Sequence, residues 1–411
     1  MKKRLVLIYF VALSGVASLL NYATYPLLAR VLSNQDFVNT TVALSLLTQM
    51  SSFLSSIVAL SAGLAKQDSD DTNEIIEQLQ AVLMKFFVLI IVSFLVISPL
   101  LLSSINLTTA FIIPVSLLLL FSIPISIISG FLNGKHKIVK LGLATLLSAV
   151  LQFTLTILVG YSTKSGALAL GAMASGQLIA IFAIYFFYKE DKLPSLSSVI
   201  RHKLKDSLSG DFKDLVKFTL LSALGIMAIN ILQVFDLLII QHRQLDARLY
   251  TDLYIISRVV FFAGTIFIWP FLSYVDIRNR LHNRILFLKL ACVFTLISAT
   301  STVGLIFFGQ QTANVLFGNI YDLETIGSIG VLAITYKYLF LMITSISLFF
   351  IVIRSYWSVS LALILTIVTA IFAYSVPNNT STLSTLYGLN AIAIVGLIIG
   401  LVGFYSVTKR N

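Results

Sequence analysis

Long apolar runs separated by short polar ones repeat along the whole chain. A bilayer core about 30 Å thick asks for ~20 apolar residues per helix. Runs of that size predict about twelve helices, near 5–29, 39–65, 81–102, 108–133, 141–161, 166–188, 217–241, 251–275, 287–308, 328–353, 357–375 and 387–406. Only Arg354, Ser355 and Tyr356 separate the tenth run from the eleventh. The opening Met1-Lys2-Lys3-Arg4 resembles the head of a signal peptide. The apolar run from Leu5 to Ala29 is too long for that and lacks a convincing cleavage site, so a retained first helix is expected. A polar stretch at 189–216, with Pro194 and a serine-rich run, reads as a linker between residues 1–188 and 217–411, six helices each. A faint repeat agrees. A shift of 210 positions aligns Leu215-Val216 with Leu5-Val6, Gly225 with Gly15, and Leu237-Leu238 with Leu27-Leu28.

Polar residues inside the runs are placed periodically. Ser14, Ser18, Asn21 and Tyr25 recur at steps of four, three and four, which puts them on one helix face. Thr41, Ser45, Thr48, Ser52 and Ser55 do the same in the second run. Lipid offers such groups no partners, so both stripes face protein or a wet cavity. For the hydroxyl residues, contact between helices is the simpler reading; Asn21 and Tyr25 suit a cavity. Asn230, Gln233 and Asp236 share one face of the seventh run. Pro26, Pro114, Pro124 and Pro270 lie within runs and are expected to bend them.

Charge changes the picture most. The chain is 58% hydrophobic and only 11% charged, well below the ~25% usual in soluble domains. This is an all-α polytopic membrane protein. With the N-terminus inside, 21 of the 28 Lys and Arg residues fall on inner loops and ends and four on outer loops; Lys85, Arg258 and Lys337 lie within runs. That asymmetry predicts cytoplasmic termini. It also explains the net charge of +11 without nucleic acid. The acidic loop at 66–80 is an exception, but carboxylates weigh little in orientation.

An ionised side chain inside hydrocarbon is costly and usually has a partner or a task. The seventh run, going outward, and the eighth, returning inward, bring Asp236 and Arg258 to similar depths, roughly 7–10 Å below the outer surface. An Asp236–Arg258 ion pair is therefore expected, as a structural neutralisation or as a gate. Lys337 sits within the tenth run, with snorkelling to the outer surface as the alternative. Lys85 is expected to snorkel from near the cytoplasmic end. Arg30 closes the first run as an anchor or as the rim of a cavity. Cys292 stands alone, and the scattered histidines have no metal-ligand spacing. Walker A, GxSxG and HExxH patterns are absent, so neither an enzyme nor ATP-driven chemistry is expected.

The segment Tyr25-Pro26-Leu27-Leu28-Ala29-Arg30-Val31-Leu32-Ser33-Asn34-Gln35-Asp36-Phe37 resembles the first outer loop of the polysaccharide transport family, with Val38 where that family usually has glycine. Gly63-Leu64, Gly130-Phe131-Leu132-Asn133-Gly134-Lys135, Asp236-Leu237-Leu238-Ile239, Tyr254 and Pro270 continue the similarity along the chain. These are Wzx-type flippases of lipid-linked oligosaccharides within the MATE-like MOP superfamily. The resemblance implies two six-helix lobes around a central cavity, alternating access in a bacterial inner membrane, and an undecaprenyl-diphosphate-linked glycan as cargo. On that reading Arg30, Arg258 and Lys337 supply countercharge, and Asn21, Tyr25, Asn230 and Gln233 meet the sugars. Asp236 with Arg258 couples or gates transport, using a proton or sodium ion and no other cofactor. The expected partners are the lipid-linked cargo, membrane lipids and polysaccharide polymerase or assembly proteins, with the chain itself a monomer.

Two other readings stay open. A multidrug or organic-cation exporter would share the fold, although such cargo favours acidic cavities. A polysaccharide polymerase or ligase would share the hydropathy; such enzymes carry basic residues on a long outer loop. The longest outer loop here, about 309–327, holds Asp322 and Glu324 with no Lys or Arg.

Overall fold

The computed structural model describes residues 2–51, 53–54, 85, 88–89, 91–93, 95–96, 109–134, 137–189, 210–243, 247–275, 279–318, 321–377 and 380–409. Regular structure among them is helical throughout. The helices are α1 (Lys2–Ala29), α2 (Asn34–Ser51), α3 (Ile112–Gly134), α4 (Ile138–Thr163), α5 (Gly166–Phe187), α6 (Gly210–Gln233), α7 (Phe235–His242), α8 (Ala247–Tyr274), α9 (Arg280–Phe317), α10 (Leu323–Val352), α11 (Trp357–Ser375) and α12 (Thr382–Lys409). Ten segments among the described residues are long and apolar enough to cross a membrane. The expected run 81–102 and the inner end of 39–65 lie largely outside the described residues, as do the acidic loop 66–80, most of the linker, Ser52, Ser55 and Gly63-Leu64.

Packing falls into two sets. Helix α4 packs on α1 and α5, with α3 against α5. In the second set α10 is central and touches α6, α8, α9 and α12. Their outer faces carry Ile113, Phe182, Phe186, Leu296 and Val402, all more than half exposed. Hydrocarbon rather than water must solvate such faces, and a helix satisfies its own backbone there.

Local chemistry explains several boundaries. The Ser33 hydroxyl accepts the Asp36 N–H (3.2 Å) and so caps α2. Asp36 Oδ2 then accepts the Gly166 N–H (3.1 Å), tying the α1–α2 turn to the start of α5. The Ser-x-x-Asp of the loop motif is thus a cap and a clasp. The short tenth connection is also real: Arg354 takes a left-handed φ of 56°, and the Ser355 N–H returns to the Phe350 carbonyl at 2.8 Å. Asp322 caps α10 by accepting the Thr325 N–H at 2.8 Å, and bonding to Thr325 lowers its carboxyl pKa. A depressed carboxyl contributes above its unfolded pKa, so this cap weakens only as pH falls through the lowered value.

Four expectations are corrected. Helix α6 begins at Gly210, so the end of the predicted linker is helical. Pro114 stands in the first turn of α3, where a missing N–H costs little, and so begins that helix rather than bending it. Helix α9 has 38 residues, about 57 Å at 1.5 Å per residue, and takes up much of the predicted outer loop. The seventh run breaks in two at Val234.

Helices α4 and α5 approach closely because Gly176 has no side chain. A Cβ there would meet the Leu151 carbonyl at 2.8 Å and the Gln152 backbone at 2.9 Å. Gly176→Ala gains ~1 kcal/mol of helix propensity, but overpacking against backbone costs about 1–3 kcal/mol. The expected outcome is a lower melting temperature in detergent; an unchanged or raised one contradicts this contact.

Candidate functional site

The break after α6 organises the first part of the site. Val234, at φ −104° and ψ 4°, interrupts the helix between Gln233 and Phe235. Carbonyls at such an end lack their usual N–H partners, and side chains of α10 fill the role. Tyr336 Oη donates to the Leu232 carbonyl (2.5 Å), and Lys337 Nζ donates to that of Gln233 (2.7 Å). Lys337 Nζ also reaches both Asp236 oxygens, at 3.0 and 2.8 Å. Tyr250 Oη donates to Asp236 Oδ2 at 2.7 Å. Asp236, Lys337 and Tyr250 are all 0% exposed. A buried ion pair is tolerable when further hydrogen bonds complete it, and here they do.

Tyr254 separates this pair from a second cation. Its ring lies 4.2 Å from Lys337 Nζ and 5.6 Å from the Arg258 guanidinium. Arg258 is 2% exposed. Its Nη1 donates to Tyr25 Oη (2.6 Å) and to Ser45 Oγ (3.4 Å). Phe262 and Tyr25 present their faces at 4.9 and 5.1 Å. Among the described residues no carboxylate lies within ion-pair distance of Arg258. A guanidinium of α8 is thus held by a phenol of α1 and a hydroxyl of α2, where the two helix sets meet.

The end of the bundle that carries the α1–α2 turn is closed by contacts between the same sets. Phe37 packs against Phe317 (6.4 Å between centroids) and lies under the Arg248 guanidinium at 4.3 Å. Arg30 Nε donates to the Leu316 carbonyl at 3.3 Å. Gln241 Nε2 donates to Asn39 Oδ1 at 3.5 Å. Asp252 Oδ1 holds Arg248 at 3.3 Å, and Tyr321 Oη donates to Asp252 Oδ2 at 2.7 Å. Burial, then the bond to Asp252, pushes the Tyr321 phenol up, so it keeps its proton as donor.

A cavity of about 110 Å³ lies within the N-terminal set, lined by Asn21 of α1, Ser129 of α3, and Thr145, Ser148 and Gln152 of α4, with apolar residues between.

No family model matches the chain, and no curated protein matches it. Solved structures do. A MATE protein crystallised in complex with MaD5 superposes with a TM-score of 0.66 at 14% identity, covering 98% of this chain and 96% of that one. A multidrug resistance MATE family transporter in an outward-facing conformation gives 0.66 at 15%, over 99% and 97%. A MOP superfamily transporter from Pyrococcus furiosus, described as having a binding pocket of reverse polarity, gives 0.65 at 16%, over 99% and 96%. This chain has the MATE fold.

In this MATE-like bundle the residues singled out from sequence separate into four places. Asp236 pairs with Lys337 and not with Arg258, and it lies just past the interruption at Val234, where Lys337 also takes the Gln233 carbonyl. Lys337 does not snorkel: it stands 14 residues into α10, about 21 Å from the helix start. Gln233 contributes its carbonyl, while its side-chain oxygen is buried without a partner among the described residues. Asn230 donates to the Ile226 carbonyl of its own helix at 2.9 Å. Tyr25 and Arg258 come together as described, both buried. Asn21 lines the separate cavity. Arg30 is exposed on the turn. Lys85, exposed, is compatible with snorkelling. Sequence reasoning passed over Tyr250 and Phe262 and named Tyr254 only within the resemblance, although with Arg258 the three recur every four residues along one face of α8.

Proposed function

We propose that the protein is a flippase that moves an undecaprenyl-diphosphate-linked oligosaccharide from the cytoplasmic to the outer face of a bacterial inner membrane. Arg258 is the observation that carries this reading. Among the described residues the carboxylate that acts on it, Asp236, already belongs to Lys337, so the group Asp236, Lys337 and Arg258 has a net charge of +1. A cationic junction between two helix sets receives an anionic headgroup and repels an organic cation. A diphosphate leaving water needs such countercharge, whereas its polyprenyl tail remains in lipid.

With both termini cytoplasmic, the α1–α2 turn faces outward, and the contacts around Phe37 are an outer gate in its closed state. Opening it separates Phe37 from Phe317 and carries Arg258 away from Tyr25 and Ser45. In a Cys292→Ser background, Phe37→Cys with Phe317→Cys joined by a short thiol cross-linker should stop transport and leave the protein folded. Continued transport by the cross-linked protein contradicts the gate.

Coupling falls to Asp236, where an entering proton or sodium ion competes with Lys337. Asp236→Asn should change the dependence of transport on pH or sodium; an unchanged dependence removes the assignment.

In cells lacking the protein, the lipid-linked glycan should accumulate on the cytoplasmic face. Accumulation on the outer face would instead mark a polymerase or ligase.

A further inference from the structure

The cavity among α1, α3 and α4 plays no part in the ion pairs or the gate. Its polar lining comes from three helices, Asn21 of α1, Ser129 of α3, and Thr145, Ser148 and Gln152 of α4, with no charged side chain among the described residues. Gln152 Nε2 donates to Ser148 Oγ at 2.7 Å, which orients that amide and leaves its carbonyl as an acceptor. Gly176 lets α5 lie directly on the Gln152 backbone and so fixes the position of this wall. Ile125, Ile128, Ala144, Ala149 and Ile184 complete the lining with apolar surface. Amides and hydroxyls set between apolar patches match a ring that alternates C–H faces with hydroxyl or acetamido groups. They offer nothing to balance an ionised group.

The location completes the argument. Asn21 precedes Tyr25 by one helical turn, about 6 Å, and Tyr25 Oη accepts the Arg258 hydrogen bond. One turn is the scale of the step from a phosphate to the sugar it carries. We propose that this cavity is the subsite for the first sugar of the lipid-linked glycan, and that this sugar is neutral. The proposal rests on the flippase reading, with Arg258 at the diphosphate.

The test is binding by the purified, full-length protein in detergent. Two probes are compared, undecaprenyl diphosphate alone and the same lipid bearing one N-acetylglucosamine. Gln152→Leu and Thr145→Val should each weaken the sugar-bearing lipid about tenfold, the scale of one lost hydrogen bond, and leave the bare lipid unchanged. Gln152→Asn, which keeps an amide, should retain part of the difference. A lipid bearing a uronic acid instead should bind wild type no better than the bare lipid. Equal weakening of both lipids by Gln152→Leu and Thr145→Val, or no weakening of either, overturns the sugar subsite. Arg258→Ala reports separately on the parent reading. It should weaken both lipids alike, and if it weakens neither, the diphosphate assignment fails whatever Gln152 does.

Discussion

Lys337→Met should destabilise the folded bundle by about 3–5 kcal/mol, the usual cost of stranding one member of a buried ion pair. Asp236 would be left 0% exposed, with the Tyr250 hydroxyl as its remaining described partner. The Gln233 carbonyl at the helix break would lose its donor as well. Asp236→Asn combined with Lys337→Met should recover most of that loss, because a neutral amide and a thioether of similar volume need no countercharge. Denaturation in detergent micelles measures both. If the double variant is as unstable as Lys337→Met alone, the pair is not what holds α7 to α10. The double variant also separates folding from coupling: it should fold, yet transport without the pH or sodium dependence of the wild type.

Arg258→Ala should reduce transport about a hundredfold or more, the scale of two charge-assisted hydrogen bonds lost from a closed site. The alanine removes a cation that has no ion-pair partner among the described residues, together with the contacts to Tyr25 and Ser45. Arg258→Lys should keep part of the activity, since an ammonium preserves charge but not the planar fork or its stacking on Phe262 and Tyr25. Arg30→Ala is the contrasting case, because Arg30 is exposed and makes one described hydrogen bond, to a backbone carbonyl. Its transport should stay within a few-fold of wild type. Rates from the three variants at matched protein levels decide the matter. Wild-type activity in Arg258→Ala would take the cation out of the site.

The sequence carried the spans well because twenty-residue apolar runs have few alternative uses. It also marked Asp236, Arg258 and Lys337 as residues needing a reason. Their pairing was not legible. The break at Val234 carries neither glycine nor proline, and the groups that stabilise it, Tyr336 and Lys337, stand about a hundred residues later in the chain. Depth counted along the seventh and eighth runs set Asp236 beside Arg258 and left out Lys337 of α10, which reaches it across the bundle. The stripe of Tyr250, Tyr254, Arg258 and Phe262 was readable by the same four-residue spacing that revealed Asn21 and Tyr25. It escaped notice because aromatic residues in an apolar run look like ordinary core. Similarly, the loop motif around Ser33, Asp36 and Phe37 is conspicuous in sequence, whereas its work as clasp and its place in the proposed gate depend on Gly166, Arg248 and Phe317.

Reconstitution in sealed vesicles tests the central claim most directly. Purified protein is supplied with undecaprenyl diphosphate bearing one sugar on one leaflet, and arrival on the other is read with a membrane-impermeant sugar-modifying reagent. Fluorescent organic cations are followed in parallel. The account predicts protein-dependent movement of the anionic lipid, lost in Arg258→Ala, with no movement of the cations. Export of the cations while the lipid stays in place would contradict it.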